Sequence, residues 1–193
     1  KRIQVCRFTL IFKKICFFCL AGLLLSCEAY THREGDQEDV DFSTNDASEL
    51  FFHNVRQIYY DIENQEATKL KLYRKKNRIQ AEDQPMINLV IVENWRYDEA
   101  YLLIEPSFAP GSSRQILVYW ESKAPQESGS YTFKFGNKSS HFHFAKQLYD
   151  SILKSDRLFL DQEGQKLPIF ATSQEKDSFR VMMEDYLRLI GEF

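Results

Sequence analysis

The chain has 193 residues with 28 acidic and 25 basic side chains, a formal net charge of −3, and no basic surplus of the kind that phosphate neutralisation requires. Its seven glycines form neither a phosphate-binding loop nor a dinucleotide fingerprint, so nucleotide enzymes are disfavoured and no cofactor is expected. Hydrophobic residues make up 44% of the chain, enough to bury one core.

The first element is a leader. Lys1, Arg2, Arg7, Lys13 and Lys14 precede an apolar run from Ile15 to Leu25, which ends in Ser26-Cys27; this is the charge order of a secretory signal. The run is too short to span a bilayer, which takes about 20 predominantly apolar residues. Leu24-Leu25-Ser26-Cys27 resembles the lipobox of bacterial lipoproteins, in which a dedicated peptidase cleaves before the Cys and its thiol receives a diacylglycerol. The resemblance covers only the first 27 residues. It implies a signal peptide over 1–26, lipidation at Cys27, and a lipid-anchored protein of the cell envelope, in the outer membrane of a two-membrane bacterium, facing periplasm or surface. It also implies that Cys6, Cys16 and Cys19 leave with the signal and that Cys27 is acylated, so no disulfide forms. Cys16 and Cys19 have the spacing of a redox pair but lie inside the apolar run, without the strand-turn-helix context such chemistry needs.

Five of the 25 Lys and Arg precede Cys27 and all 28 Asp and Glu follow it, so the chain from Cys27 onward carries 20 bases against 28 acids, a charge of −8. Nucleic acid is therefore excluded as an expected partner. Residues 28–48 are polar and acidic, and 27–48 is read as the lipidated Cys followed by a flexible tether. A single globular domain is expected over 49–193.

Within that domain the pattern is α+β, mostly antiparallel sheet with hairpins, an internal helix and a C-terminal amphipathic helix. Leu50 to Ile62 is rich in aromatic and β-branched residues and is read as a strand, although Leu50, Val55, Ile58, Tyr59 and Ile62 also fit helical spacing. Thr68 to Tyr73 alternates charge with apolar side chains, as on a half-buried strand that runs into a basic turn. The bases Lys69, Lys71, Arg74, Lys75, Lys76 and Arg78 form a solvated face or meet anionic lipid headgroups near the anchor. Ile87 to Val92 and Ala100 to Ile104 flank a hairpin loop, and Gln115 to Trp120 is a further strand. Pro110 to Ser113 reads as a turn.

Tyr131 to Phe135 and His141 to Phe144 alternate aromatic and polar residues around Gly136-Asn137, which predicts a half-buried hairpin. Ala145 to Lys154 switches to helical period. Leu158 to Leu160 is a short strand, followed by a turn through Gly164. The C-terminal helix carries Phe179, Met182, Met183, Tyr186, Leu187 and Ile190 at three- and four-residue spacing, with Thr172 and Glu175 as a capping box and Gly191 at its end.

Candidate sites are few. On a strand, His141 and His143 would project from one face as two metal ligands can, with His53 or an acidic residue needed as a third. Trp95, Arg96, Tyr97, Asp98 and Glu99, with Glu93 beside them, form the densest mixed aromatic and charged cluster. There the aromatics offer anchors for ligand binding, or pack on the sheet edge while the charges stay solvated. No Gly-x-Ser-x-Gly nucleophile motif occurs. The expected function is a membrane-anchored envelope lipoprotein whose soluble domain binds an envelope protein or glycan. The competing class is a lipid-anchored hydrolase of envelope glycan or peptide.

Overall fold

Among the described residues, nine strands and three α-helices run in the order β1 (Thr31–His32), α1 (Asp46–Phe51), β2 (Tyr60–Gln65), β3 (Leu70–Lys75), β4 (Ile87–Asn94), β5 (Glu99–Pro106), β6 (Gln115–Glu121), β7 (Ser128–Lys134), α2 (Lys138–Leu153), β8 (Arg157–Gln162), β9 (Gln165–Ile169) and α3 (Ser173–Leu189). The computed structural model describes residues 31–32, 40–78, 84–109, 115–123 and 127–192. The signal, the lipobox with Cys27, residues 28–30 and 33–39 of the acidic tether, and the Pro110–Ser113 turn lie outside them. Thr31 to Phe193 forms one unit, with two antiparallel sheets plus helices, the expected α+β class.

The four-stranded sheet is a meander, β2-β3-β4-β5, and the five-stranded sheet has the order β1-β7-β6-β8-β9. β4 and β5 pair from Ile87↔Pro106 to Asn94↔Glu99, as expected of a hairpin. β4 reads INLVIVEN, a nearly continuous apolar run, because both of its faces are covered. Leu89, Ile91 and Glu93 lie on the helix side, while Val90 and Val92 join Leu72 in a smaller cluster on the other face. α2 packs against β5 and β7, so one core joins the two sheets, and α3 packs on β4, β5 and α2. The β8–β9 turn is closed by Glu163 and Gly164, both at positive φ (54° and 82°), the backbone of a tight two-residue hairpin.

α3 follows its sequence pattern closely. The Thr172 hydroxyl accepts the Glu175 N–H at 3.2 Å, the Glu175 carboxylate accepts the Thr172 N–H, and Gly191 ends the helix at φ 78°.

Three expectations are corrected. Residues 40–48 belong to the domain, not to a tether: Phe42 is buried edge-on to Phe142 at 6.2 Å, Ser43 bridges to Glu99, and the Thr44 N–H donates to the Asp98 carbonyl at 2.8 Å. Phe42, with the half-buried Val40, docks a stretch whose other residues are mostly polar. Of the strand expected over Leu50 to Ile62, only Tyr60 to Ile62 is strand; Leu50 to Tyr59 is helical. Asn45 and Ser48 cap each other's backbone and start α1, which continues through a π turn (Phe52–Arg56) and a 3-10 turn (Gln57–Tyr59) before β2 begins at Tyr60. Capping and tertiary bonds override the β preference of the aromatics. Finally, the hairpin expected over Tyr131 to Phe144 does not form. β7 ends at Lys134, and the Asn137 side chain accepts the Ser140 N–H at 3.0 Å, so the supposed turn is a helix N-terminus and α2 starts before His141.

Candidate binding surface

The β2–β3 and β4–β5 turns lie side by side at one end of the four-stranded sheet, since Leu70 pairs with Asn94. Each is a four-residue loop closed by a non-glycine residue in the left-handed region, Lys69 (φ 61°) and Asp98 (φ 49°), the pattern of loops built on a type I turn. In the second loop Asn94 fixes the bend. Its side-chain oxygen accepts the Arg96 N–H at 3.3 Å and its carbonyl accepts the Tyr97 N–H at 3.1 Å. The Asp98 carbonyl is held by Thr44.

This geometry pushes the loop's two aromatics outward: Trp95 is 49% exposed and Tyr97 63%. Each has a cation over its ring, Lys69 Nζ at 4.8 Å from the Trp95 centroid and the Arg96 guanidinium at 5.6 Å from that of Tyr97. A shallow open depression beside Trp95 is lined by Asn64, Gln65, Glu66, Leu70, Lys71 and Trp95 itself. Of the remaining cluster residues, Glu99 is tied to Lys138 Nζ at 2.8 Å. The two aromatics are thus displayed rather than folded onto the sheet edge, and Lys69 joins them from the neighbouring turn.

Glu93 faces the interior. Tyr73 Oη donates to its carboxylate at 2.6 Å and His53 Nε2 lies 3.0 Å from it. Burial and the Glu93 bond push the Tyr73 phenol well above its ordinary range, so it keeps its proton and donates. A parallel network lies further along the same helical segment, where Arg56 Nε and Tyr60 Oη both donate to Asp185 of α3, at 2.7 and 2.6 Å. Desolvation, then Asp185, raises the Tyr60 phenol, and the Asp185 bond raises the Arg56 guanidinium. The Phe52 ring packs between them, 5.0 Å from Tyr73 and 5.7 Å from Tyr60. Nothing local in the sequence announces these pairs, because their partners lie 40 and 129 residues apart.

The two histidines expected as a metal pair sit on α2, so the strand geometry that paired them does not hold. Two residues apart on a helix, their side chains diverge by about 200°. His141 is buried, and its Nδ1 accepts the Ile104 N–H at 2.9 Å; burial lowers its pKa below the usual value. His143 is half-buried beside Phe142. Among the described residues no group of three or more His, Cys, Asp or Glu side chains converges as a metal centre would require. Of His53, His141, His143, Glu93, Asp98 and Glu99, only His53 and Glu93 are brought together.

No family model matches the chain, and neither a curated protein nor a solved structure is significantly similar to it.

Proposed function

We propose that the chain is a membrane-anchored envelope lipoprotein whose α+β domain is a binding module, engaging an envelope protein or glycan through the hairpin end of the four-stranded sheet. The observation that carries this reading is the exposure of Trp95 and Tyr97 on a bonded turn, each with a cation over its ring. Leaving two large aromatics about half in water forgoes part of the burial free energy they would have inside, which is about 1.5–3 kcal/mol for a large side chain buried in full. Rigid aromatics with cationic neighbours are the residues that dominate recognition surfaces. The lipobox supplies the location and the hairpin end supplies the contact.

The test is crosslinking pull-down from envelope fractions with the full anchored chain, wild type against Trp95→Ala/Tyr97→Ala. A stoichiometric partner should be captured by the wild type and lost from the double variant, since an anchor residue contributes about 2 kcal/mol or more, roughly 30-fold in affinity. Equal capture by the double variant overturns the assignment. So does hydrolysis of envelope glycan or peptide without any stoichiometric partner. The anchor is tested apart: Cys27→Ser should abolish processing and acyl labelling, and labelling that persists rejects the lipobox.

A further inference from the structure

The segment from Leu50 to Tyr60 is built inside out. Its outward positions recur at helical spacing, 50, 51, 54, 55, 58 and 59, and all but Asn54 are large and apolar. Leu50 is 63% exposed, Ile58 60% and Tyr59 50%, with Phe51, Val55 and the adjoining Ile62 of β2 also exposed. The inward positions hold Phe52 and Tyr60 together with His53 and Arg56, which are tied to the buried carboxylates of Glu93 and Asp185. A helix that meets only water does the reverse. Large apolar groups take the outward places and an arginine an inward one, an arrangement that an apolar medium over the outer face favours.

We infer that this face lies in the interface of an anionic lipid bilayer. Charge selects the occupant. Residues 50–60 contain no Asp or Glu, in a chain whose charge is −8 from Cys27 onward. Cations rim the apolar strip: the Arg188 guanidinium lies over the Phe51 ring at 5.5 Å, and Lys76 Nζ donates to the Ile58 carbonyl at 2.9 Å. Asp61, next to the strip, is neutralised by Arg78 at 3.0 Å. Apolar and aromatic side chains in the middle with Lys and Arg at the margin is the composition of an element lying in the headgroup region. A second copy docked on the same patch would bring no Asp or Glu from residues 50–60 to oppose the cations of the first. The inference rests on the lipoprotein reading for the nearness of a membrane, and it gives the domain a second, lipid-facing surface distinct from the hairpin end.

The test uses the full chain reconstituted in vesicles of brominated phosphatidylcholine, with or without phosphatidylglycerol. Ile58→Trp places a reporter in the strip, and the wild type supplies the background from Trp95 and Trp120. In vesicles with phosphatidylglycerol the added tryptophan should be quenched at least about twofold beyond background, as expected for a side chain at the acyl boundary. Lys76→Gln/Arg188→Gln should reduce that quenching. Quenching no greater than background in both vesicle types overturns the inference. A detergent-solubilised dimer split by Ile58→Glu, with no quenching, overturns it in favour of a second copy. Loss of acyl labelling at Cys27 counts against the anchored reading alone, whereas intact labelling without quenching counts against this one alone.

Discussion

Two helical regions meet at Asp185, and they are stabilised in opposite ways. α3 turns Phe179, Met182, Met183 and Tyr186 into the core and keeps Asp177, Arg180 and Glu184 outside, in ion pairs three and four residues apart. It is held by area. The segment from α1 to Tyr59 inserts one ring, Phe52, and fastens itself with directional bonds from His53 to Glu93 and from Arg56 to Asp185. Area tolerates small shifts, because dispersion and desolvation fall off gradually, whereas hydrogen bonds to a buried carboxylate weaken steeply when the geometry slips. The first segment is therefore the more precisely oriented and the more easily released of the two.

The largest expected effect breaks that contrast at Phe52. Phe52→Ala removes the ring shared by Tyr60 and Tyr73, at a cost of about 3–5 kcal/mol, while Met183→Ala in α3 costs about 2–5 kcal/mol. Urea unfolding should show both losses. Native-state hydrogen exchange should separate them, with Phe52→Ala releasing residues 46–60 below the global unfolding threshold. If both variants open the molecule uniformly, the two regions are one cooperative unit and the contrast fails.

Asp185→Ala comes next. A fully buried pair broken on one side costs about 3–5 kcal/mol. Here the Arg56 side chain keeps 23% of its exposure and can turn to water, so about 2 kcal/mol is expected, from the orphaned Tyr60 hydroxyl and the lost guanidinium bond. A loss of unfolding free energy below about 0.5 kcal/mol in urea denaturation would show that the joint contributes nothing.

The contrast also decides what was legible in the sequence. α3 was readable from Thr172 to Gly191 because its core stripe, capping box and terminal glycine are local and agree with one another. The β4–β5 hairpin and the loop that displays Trp95 and Tyr97 were readable for the same reason. Leu50 to Tyr60 was not: its apolar spacing suited a helix, its composition suited a strand, and the residues that decide the matter, Glu93 and Asp185, are remote. At Gly136-Asn137 the same residues serve a hairpin turn or a helix cap, and alternation on both sides favoured the wrong one. What settles it is the packing of Phe144, Leu148 and Ile152 at four-residue intervals. The recognition candidates Trp95 and Tyr97 were visible, but Lys69, which stacks on Trp95 from another turn, was not.

His141 sharpens the picture through pH. Burial lowers its pKa below the ordinary value of 6.5, and its Nδ1 already accepts the Ile104 N–H. In the unfolded chain the ring takes a proton near pH 6.5 that the folded domain refuses, so stability falls as pH drops below that value and levels off once the folded pKa is passed. His141→Gln should flatten this slope in urea midpoints measured between about pH 7 and 5. An unchanged slope means that His141 is not its source.

Thr172→Ala removes the hydroxyl that accepts the Glu175 N–H and should cost about 1 kcal/mol. The loss should appear in a urea midpoint without a change in slope, because α3 remains anchored by its buried face.

The smallest effect carries the most about the outer strip. Leu50→Ser and Ile58→Ser delete side chains that are mostly exposed, so in detergent-free solution each should change stability by less than about 0.5 kcal/mol. Met183→Ser, the same loss of apolar surface at a buried position, should cost at least as much as Met183→Ala, and more for the hydroxyl left in the core. If Leu50→Ser or Ile58→Ser destabilises the free domain by 1 kcal/mol or more, about twice that surface limit, the strip is already covered within the chain and has no face left for a bilayer. If both are silent in solution yet reduce vesicle quenching of a Val55→Trp reporter, the same side chains contribute nothing to folding and act only where lipid replaces water.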